Sequence, residues 1–301
     1  MNRFAIAGFL TISAGALTSS AAPTIYAAKS AGTTTVLHGG DRELTSLAFS
    51  GTSSILTGAD FLRWNSGSLT NNAGTFGWTD LVPRDVNSAN VYTGNPDRSD
   101  ASTPMPAEAS KKGTMRDVFG SFGGPTPYKN MSYIIDGEDS GAYHFDLLFA
   151  AGQRLSADND GSTVELSILE RGGNSDFNVY GINADGSLTG PMFVNRSTGG
   201  SAGWSIDTLE IGGTQAVVGF GISLDAAWQN LKGFRIEAKN GFNGPDIVAV
   251  GTSQTSPSPI VPAPASIGLL GALSVLGCGR RRRGEKPSSD RACAASEKEQ
   301  L

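Results

Sequence analysis

The sequence predicts an all-β chain: an antiparallel β-sandwich of jelly-roll-like form, with a signal helix at its N-terminus and a transmembrane helix at its C-terminus. Three observations lead there. The 301 residues include 40 glycines and only 17% charged residues, a composition rich in turn formers and poor in the Glu, Lys and Leu that fill helices. Short runs of β-formers recur at regular spacing between Gly, Asn and Asp clusters. Several runs alternate apolar with polar residues, the period of a strand with one buried face.

The chain opens on Arg3, an apolar stretch from Phe4 to Leu17, and the small residues Thr18 to Ala22. This order predicts a secretory signal peptide over residues 1–27, removed by signal peptidase after Ala21 or near Ala27. The sandwich is then expected over 28–252. Strands are expected at 44–49, 131–135, 143–150, 163–169, 177–182, 205–211, 216–224, 234–238 and 247–250. Within the fourth, Val164, Leu166 and Ile168 fall on one face and Glu165 and Ser167 on the other, which predicts one buried face and one wet. Phe234 to Ala238 repeats the pattern. Turns are expected at Asn159-Asp160-Gly161, Ala184-Asp185-Gly186-Ser187 and Asn240-Gly241, where Asp or Asn with Gly meets the need for positive φ. Leu224 to Leu231 reads as a short helix. The polar, proline-bearing stretch from Asn87 to Thr114 reads as a long surface loop.

Charge is unevenly distributed. Apart from Arg3 and the basic residues from Arg280 onward, the body holds 15 Lys and Arg against 24 Asp and Glu, a net −9. Such a body attracts no nucleic acid, whose binding rests on phosphate neutralisation. Both cysteines, Cys278 and Cys293, lie near the C-terminus, so the body has no thiol for a disulfide, a metal or a nucleophilic attack.

The C-terminal region has four parts in order. A Ser/Thr/Pro linker covers 253–261. The tripeptide Pro262-Ala263-Pro264 follows, then an uncharged run from Ala265 to Gly279, then Arg280, Arg281, Arg282 and Arg283. As a helix, the run would measure about 22 Å against a hydrocarbon core of roughly 30 Å. The arginines would stay on the cytoplasmic side with a polar tail over 284–301, leaving the body outside. Prolines ahead of the run mark its outer boundary.

This order resembles the PEP-CTERM sorting signal, in which a Pro-Glu-Pro-like tripeptide, a short membrane helix and a basic cluster occur together. Residues 262–283 match it, with Ala263 where the family carries Glu. The resemblance implies processing by an exosortase, a membrane-embedded transpeptidase-like cysteine enzyme, and export to the cell surface, outer envelope or extracellular matrix. The rival expectation is a plain single-span anchor. The body from about Ser132 to Val250 is also similar to the outer domains of PEP-CTERM proteins. The phrases that carry this are Glu170-Arg171-Gly172-Gly173-Asn174-Ser175-Asp176-Phe177, Gly203 to Thr208, Gly233 to Ile236, and Asn243-Gly244-Pro245-Asp246. That likeness implies location more than chemistry.

Catalytic signals are few. His38 and His144 are the two histidines, and neither lies in a context suited to a serine triad. Paired acids could serve a glycosidase, and Asp136, Glu138, Asp139, Asp146, Glu165 and Glu170 are the candidates. Calcium is the one cofactor the residues suggest, through the oxygen-rich turns holding Asp158, Asp160 and Asp185. Trp64, Trp78, Trp204 and Trp228 are candidate platforms for stacking on a sugar. The expected function is that of a non-enzymatic surface protein of structural or adhesive role. A carbohydrate-binding module and, behind it, a glycosidase are the alternatives.

Overall fold

In the computed structural model, the described residues are 22–35, 42–57, 64–83, 93, 95–98, 113–120, 129–130, 133–137, 141–207 and 214–253. The signal segment through Ala21, His38, Glu138, Asp139, both cysteines and everything from residue 254, including the sorting signal, lie outside them. The chain divides into two units, Met1–Ile260 and Val261–Leu301, and only the first contains described residues.

The strands run Thr24–Thr35 (β1), Arg42–Phe49 (β2), Ile55–Thr57 (β3), Trp64–Asn71 (β4), Gly74–Gly77 (β5) and Asn95–Arg98 (β6). Lys129–Asn130 (β7), Tyr133–Asp136 (β8), Tyr143–Phe149 (β9), Leu166–Arg171 (β10) and Phe177–Asn183 (β11) follow. Leu188–Val194 (β12), Gly200–Asp207 (β13), Thr214–Ser223 (β14), Leu231–Ala238 (β15) and Asp246–Thr252 (β16) complete the set. They form two antiparallel sheets. One has six strands in the order β12-β11-β15-β9-β4-β5. The other has the path β3-β2-β1-β14-β10-β16-β8-β6, with β13 added to β14 and β7 to β2. The all-β expectation therefore holds.

The two sheets enclose a core because alternate residues of their strands are apolar. On β9, Tyr143, Phe145, Leu147 and Phe149 point inward while His144, Asp146 and Leu148 do not. They meet Phe177 and Val179 of β11, Phe234 and Ile236 of β15, and Phe220 and Ile222 of β14. Phe145, Phe177, Phe220 and Phe234 are fully buried, each stabilising the fold by about 1.5 to 3 kcal/mol relative to exposure. A one-turn helix, Met115–Phe119 (α1), closes one side. Thr114 and Asp117 cap it reciprocally, and Phe119 stacks on Phe145 at 5.0 Å.

A second apolar cluster lies on the other face of the larger sheet. It gathers Leu44, Leu47, Phe49 and Leu56 from β2 and β3 with Leu169, Val217 and Val248 from β10, β14 and β16. Strand β1 makes this possible. Its residues Thr24 to Ala27 pair with β14, and from Ala28 onward, with an irregularity before Ser30, it pairs with β2, whose apolar residues pack over the sheet. Gly221 of β14 accommodates the overlay: a Cβ there would stand 2.5 Å from Phe49 Cδ1.

Several expectations change as a result. Every residue of β10 is buried, so its polar face is covered by the second layer and is not wet. The sheet begins at Thr24, ahead of the expected body boundary at residue 28. Leu224 to Leu231 is a turn, not a helix: Asp225 takes the amide of Ala227 on its side chain and that of Trp228 on its carbonyl, and Trp228 drops into the core. The stretch from Asn87 to Thr114 is interrupted by β6, paired to β8. The turns keep their expected chemistry, with positive φ at Asn159, Gly161, Gly186 and Gly241.

Candidate binding face

The site is built by cross-strand pairing on the outer face of the six-stranded sheet. Because β4, β9, β15 and β11 are antiparallel neighbours, the residues between their core positions line up in rows. Thr75, Thr70, His144, Glu237, Asn178 and Phe193 form one row across six strands. Ser68, Asp146, Arg235 and Tyr180 form the next. Side chains directly opposite in such pairs sit close enough to interact.

Their charges are matched within the face. Arg235 donates Nε to Asp146 Oδ1 at 2.6 Å and Nη2 to Oδ2 at 2.9 Å, a bidentate pair between β15 and β9. Glu237 Oε2 accepts from Asn178 Nδ2 and Tyr180 Oη, both at 2.9 Å, and lies 3.3 Å from Lys239 Nζ. Burial opposes the Glu237 charge, but the hydrogen bonds from Asn178, Tyr180 and Lys239 outweigh it and hold the carboxyl below its ordinary value. Partial burial, aided by the Arg235 charge, pushes His144 down, favouring neutral imidazole. Burial, then the Glu237 carboxylate, pushes the Tyr180 hydroxyl up. Two cations and two anions thus cancel around neutral hydroxyl, amide, imidazole and phenol groups. At one edge, Phe193 is exposed and packs against Phe242 at 5.6 Å.

The sequence-based candidates are placed elsewhere. Trp64 is a core residue: it stacks on Phe149 at 4.9 Å and donates Nε1 to the Val250 carbonyl at 2.8 Å. Trp228 is also in the core, stacked against Phe234 at 6.4 Å. Trp78 and Trp204 are half-buried, packed respectively against the main core and the second cluster. The four do not form one platform.

Asp160 anchors its own turn, accepting from Ser162 N, Thr163 N and Thr163 Oγ1, which holds it far below the ordinary carboxylate range. Asp185 does the same for Ser187. Asp158 accepts the amide of Asp160. Among the described residues, no three His, Cys, Asp or Glu side chains gather as a metal site.

The remaining acids divide between the face and the interior. Asp136 and Asp246 lie buried against Arg171, whose guanidinium reaches them at 3.1 and 2.6 Å. This triad ties β8, β10 and β16 together. Burial pushes Asp246 up to about 6 and Glu170 up to about 8, and it raises the Tyr143 hydroxyl well above its ordinary value. Tyr143 donates to the Pro245 carbonyl. Two of the phrases singled out in the sequence meet here. Ser175 Oγ donates to the Asn243 carbonyl, Asn243 Nδ2 donates to the Asn174 carbonyl, and Arg171 holds Asp246.

Alternation over Phe234 to Ala238 places Arg235 and Glu237 on a polar face, whereas no sequence pattern marks Asn178 or Tyr180. Alternation was the available signal, and the strand order that joins these residues was not in it. Compared with known proteins, the chain matches no family model, no curated protein and no solved structure.

Proposed function

We propose that the chain is a non-enzymatic protein of PEP-CTERM type, exported to the cell surface, outer envelope or extracellular matrix, with a structural and adhesive role. Signal peptidase removes the first segment. The apolar helix and arginines of 262–283 hold the chain in the membrane until an exosortase acts at the tripeptide. The body, jelly-roll in type, takes extracellular polysaccharide on the outer face of its six-stranded sheet.

The observation that supports this reading is the pairing of charges on that face. With Arg235 matched to Asp146 and Glu237 to Lys239, the face has little net attraction for a polyion. It offers hydroxyl, imidazole and phenol groups on a rigid sheet, the hydrogen-bonding partners of a neutral polyhydroxylated chain. Tyr180 supplies a ring whose hydroxyl is oriented by Glu237.

A glycan array with the purified chain tests the adhesive role. Binding to neutral polysaccharides should fall about tenfold or more in Tyr180→Ala and Arg235→Ala with the far-ultraviolet spectrum unchanged, a loss of about 1.4 kcal/mol or more. A blank array, or binding indifferent to both substitutions, refutes it. Fractionation of cells with and without the exosortase tests the sorting, and full-length chain in the cytosol refutes that part.

A further inference from the structure

The end of β10 holds a second arrangement that the binding face does not use. Glu165 is fully buried, yet its carboxyl group lies within hydrogen-bonding reach of the Asp158 carboxyl group. Its Oε2 accepts the Leu224 amide at 2.9 Å and its Oε1 the Asp158 amide at 3.3 Å. Asp158 is exposed, so the pair runs from solvent to the interior.

Across the ladder, Ser253 donates its amide to the Glu165 carbonyl at 3.1 Å, continuing the register in which Leu166 faces Thr252. Glu165 and Ser253 are therefore direct neighbours whose side chains leave the same face. Ser253 is 6% exposed, and its hydroxyl has no hydrogen-bond partner. The same holds for the hydroxyl of Ser223, 2% exposed, which precedes the Leu224 amide donor.

Two carboxyl groups in contact repel unless a proton or a cation accompanies them. A shared proton would satisfy the acids but leave the Ser253 hydroxyl unmatched. A hard divalent cation is balanced by two carboxylates and accepts hydroxyl and carbonyl oxygen as well. We propose that Asp158 and Glu165, with the Ser253 hydroxyl, form a site for one calcium ion that fastens the loop after β9 to the ends of β10 and β16. Calcium suits the site better than magnesium, because it tolerates irregular oxygen geometry where magnesium demands an octahedron. Asp160 and Asp185 are turn anchors, not ligands.

The inference does not depend on polysaccharide binding, and its test uses calcium chloride alone. Titration calorimetry of the purified, chelator-treated chain should give one ion per chain with a Kd of about 10⁻⁴ to 10⁻³ M, the range of extracellular modules. At tenfold excess over that Kd, calcium should raise Tm by about 3 to 5 °C, with magnesium much weaker. Glu165→Gln and Asp158→Asn should each weaken binding at least tenfold, whereas Asp185→Asn should leave it unchanged. Asp158→Asn, on an exposed side chain, remains informative should Glu165→Gln fail to fold. No calcium response in the parent, a response retained in Asp158→Asn, or one lost in Asp185→Asn would overturn the proposal.

Discussion

Replacing Arg171 with Met tests whether the buried triad holds the larger sheet together. Arg171 donates Nε and Nη2 to Asp246 Oδ2 at 2.9 and 2.6 Å, and Nη2 to Asp136 Oδ1 at 3.1 Å. All three residues are buried. Methionine fills much of the volume but leaves two carboxylates in the interior without their cation. Breaking a buried pair from one side costs about 3 to 5 kcal/mol. Protonation limits that cost: neutralising a carboxyl of ordinary pKa near 4 at pH 7 takes about 4 kcal/mol, at about 1.4 kcal/mol per unit.

The deficit should therefore depend on pH. In the variant the folded-state pKa of both aspartates lies above the unfolded value, so each favours folding at low pH and penalises it as pH rises. Denaturant titrations at pH 8 should show a loss of about 3 to 5 kcal/mol, equivalent to a fall in Tm on the order of 10 °C. At pH 5 the gap to the parent should be about half as large. A loss below about 1 kcal/mol at pH 8, or a gap unchanged between the two pH values, would refute the claim that the triad is a buried charge balance.

Three further outcomes follow from the same geometry. Glu170 is raised to about 8 and Asp246 to about 6, so both bind protons more readily in the folded chain, and the stability they contribute is lost as pH rises from about 5 to 9. The parent Tm should fall across that window, and Glu170→Gln should make the fall shallower; a Tm rising toward pH 9 would contradict this. Gly221→Val should destabilise by about 1 to 3 kcal/mol or more, because the new side chain meets the Phe49 ring, and double-variant analysis with Phe49→Ala should recover part of the loss. Intact-mass measurement of the exported chain should place its first residue at Ala22, since Thr24 to Ala27 pair with Ser223 to Phe220; a start at Ala28 would show that the first pairing is dispensable.

What the sequence revealed, and what it concealed, follows from the range of each signal. Turn chemistry is local, so Asp160-Gly161, Asp185-Gly186 and Asn240-Gly241 were legible. Alternation is local too, and it identified the buried face of β15. Strand β4 was missed because Trp64-Asn65-Ser66-Gly67-Ser68-Leu69-Thr70-Asn71 holds only two residues that reach the core, Trp64 and Leu69. Ser66, Ser68 and Thr70 serve the outer face. Strand β1 was missed because the small residues at its start read as a cleavage region. The binding face was not legible at all: its rows take residues 70, 144, 178 and 237 from four strands whose neighbours are set by tertiary packing.

The covered face of β10 is the more instructive failure. Alternation separates polar from apolar positions but does not say what lies over the polar ones. Ser167 reads as wet because nothing nearby in the chain covers its face, and the cluster over that face takes Leu44, Leu47, Phe49 and Leu56 from β2 and β3, more than 100 residues earlier. A signal for that cover was present in β14. In Val217-Val218-Gly219-Phe220-Gly221-Ile222 the apolar residues Phe220 and Ile222 face the main core, and the intervening positions are both glycine. A wet face has room for side chains and gains from β-formers, whereas glycine weakens a strand unless another backbone or ring approaches closely. Here a Cβ at Gly219 would stand 2.7 Å from that of Ala28, and one at Gly221 would meet Phe49. Alternate glycines opposite a run of core residues thus mark a face over which other strands lie.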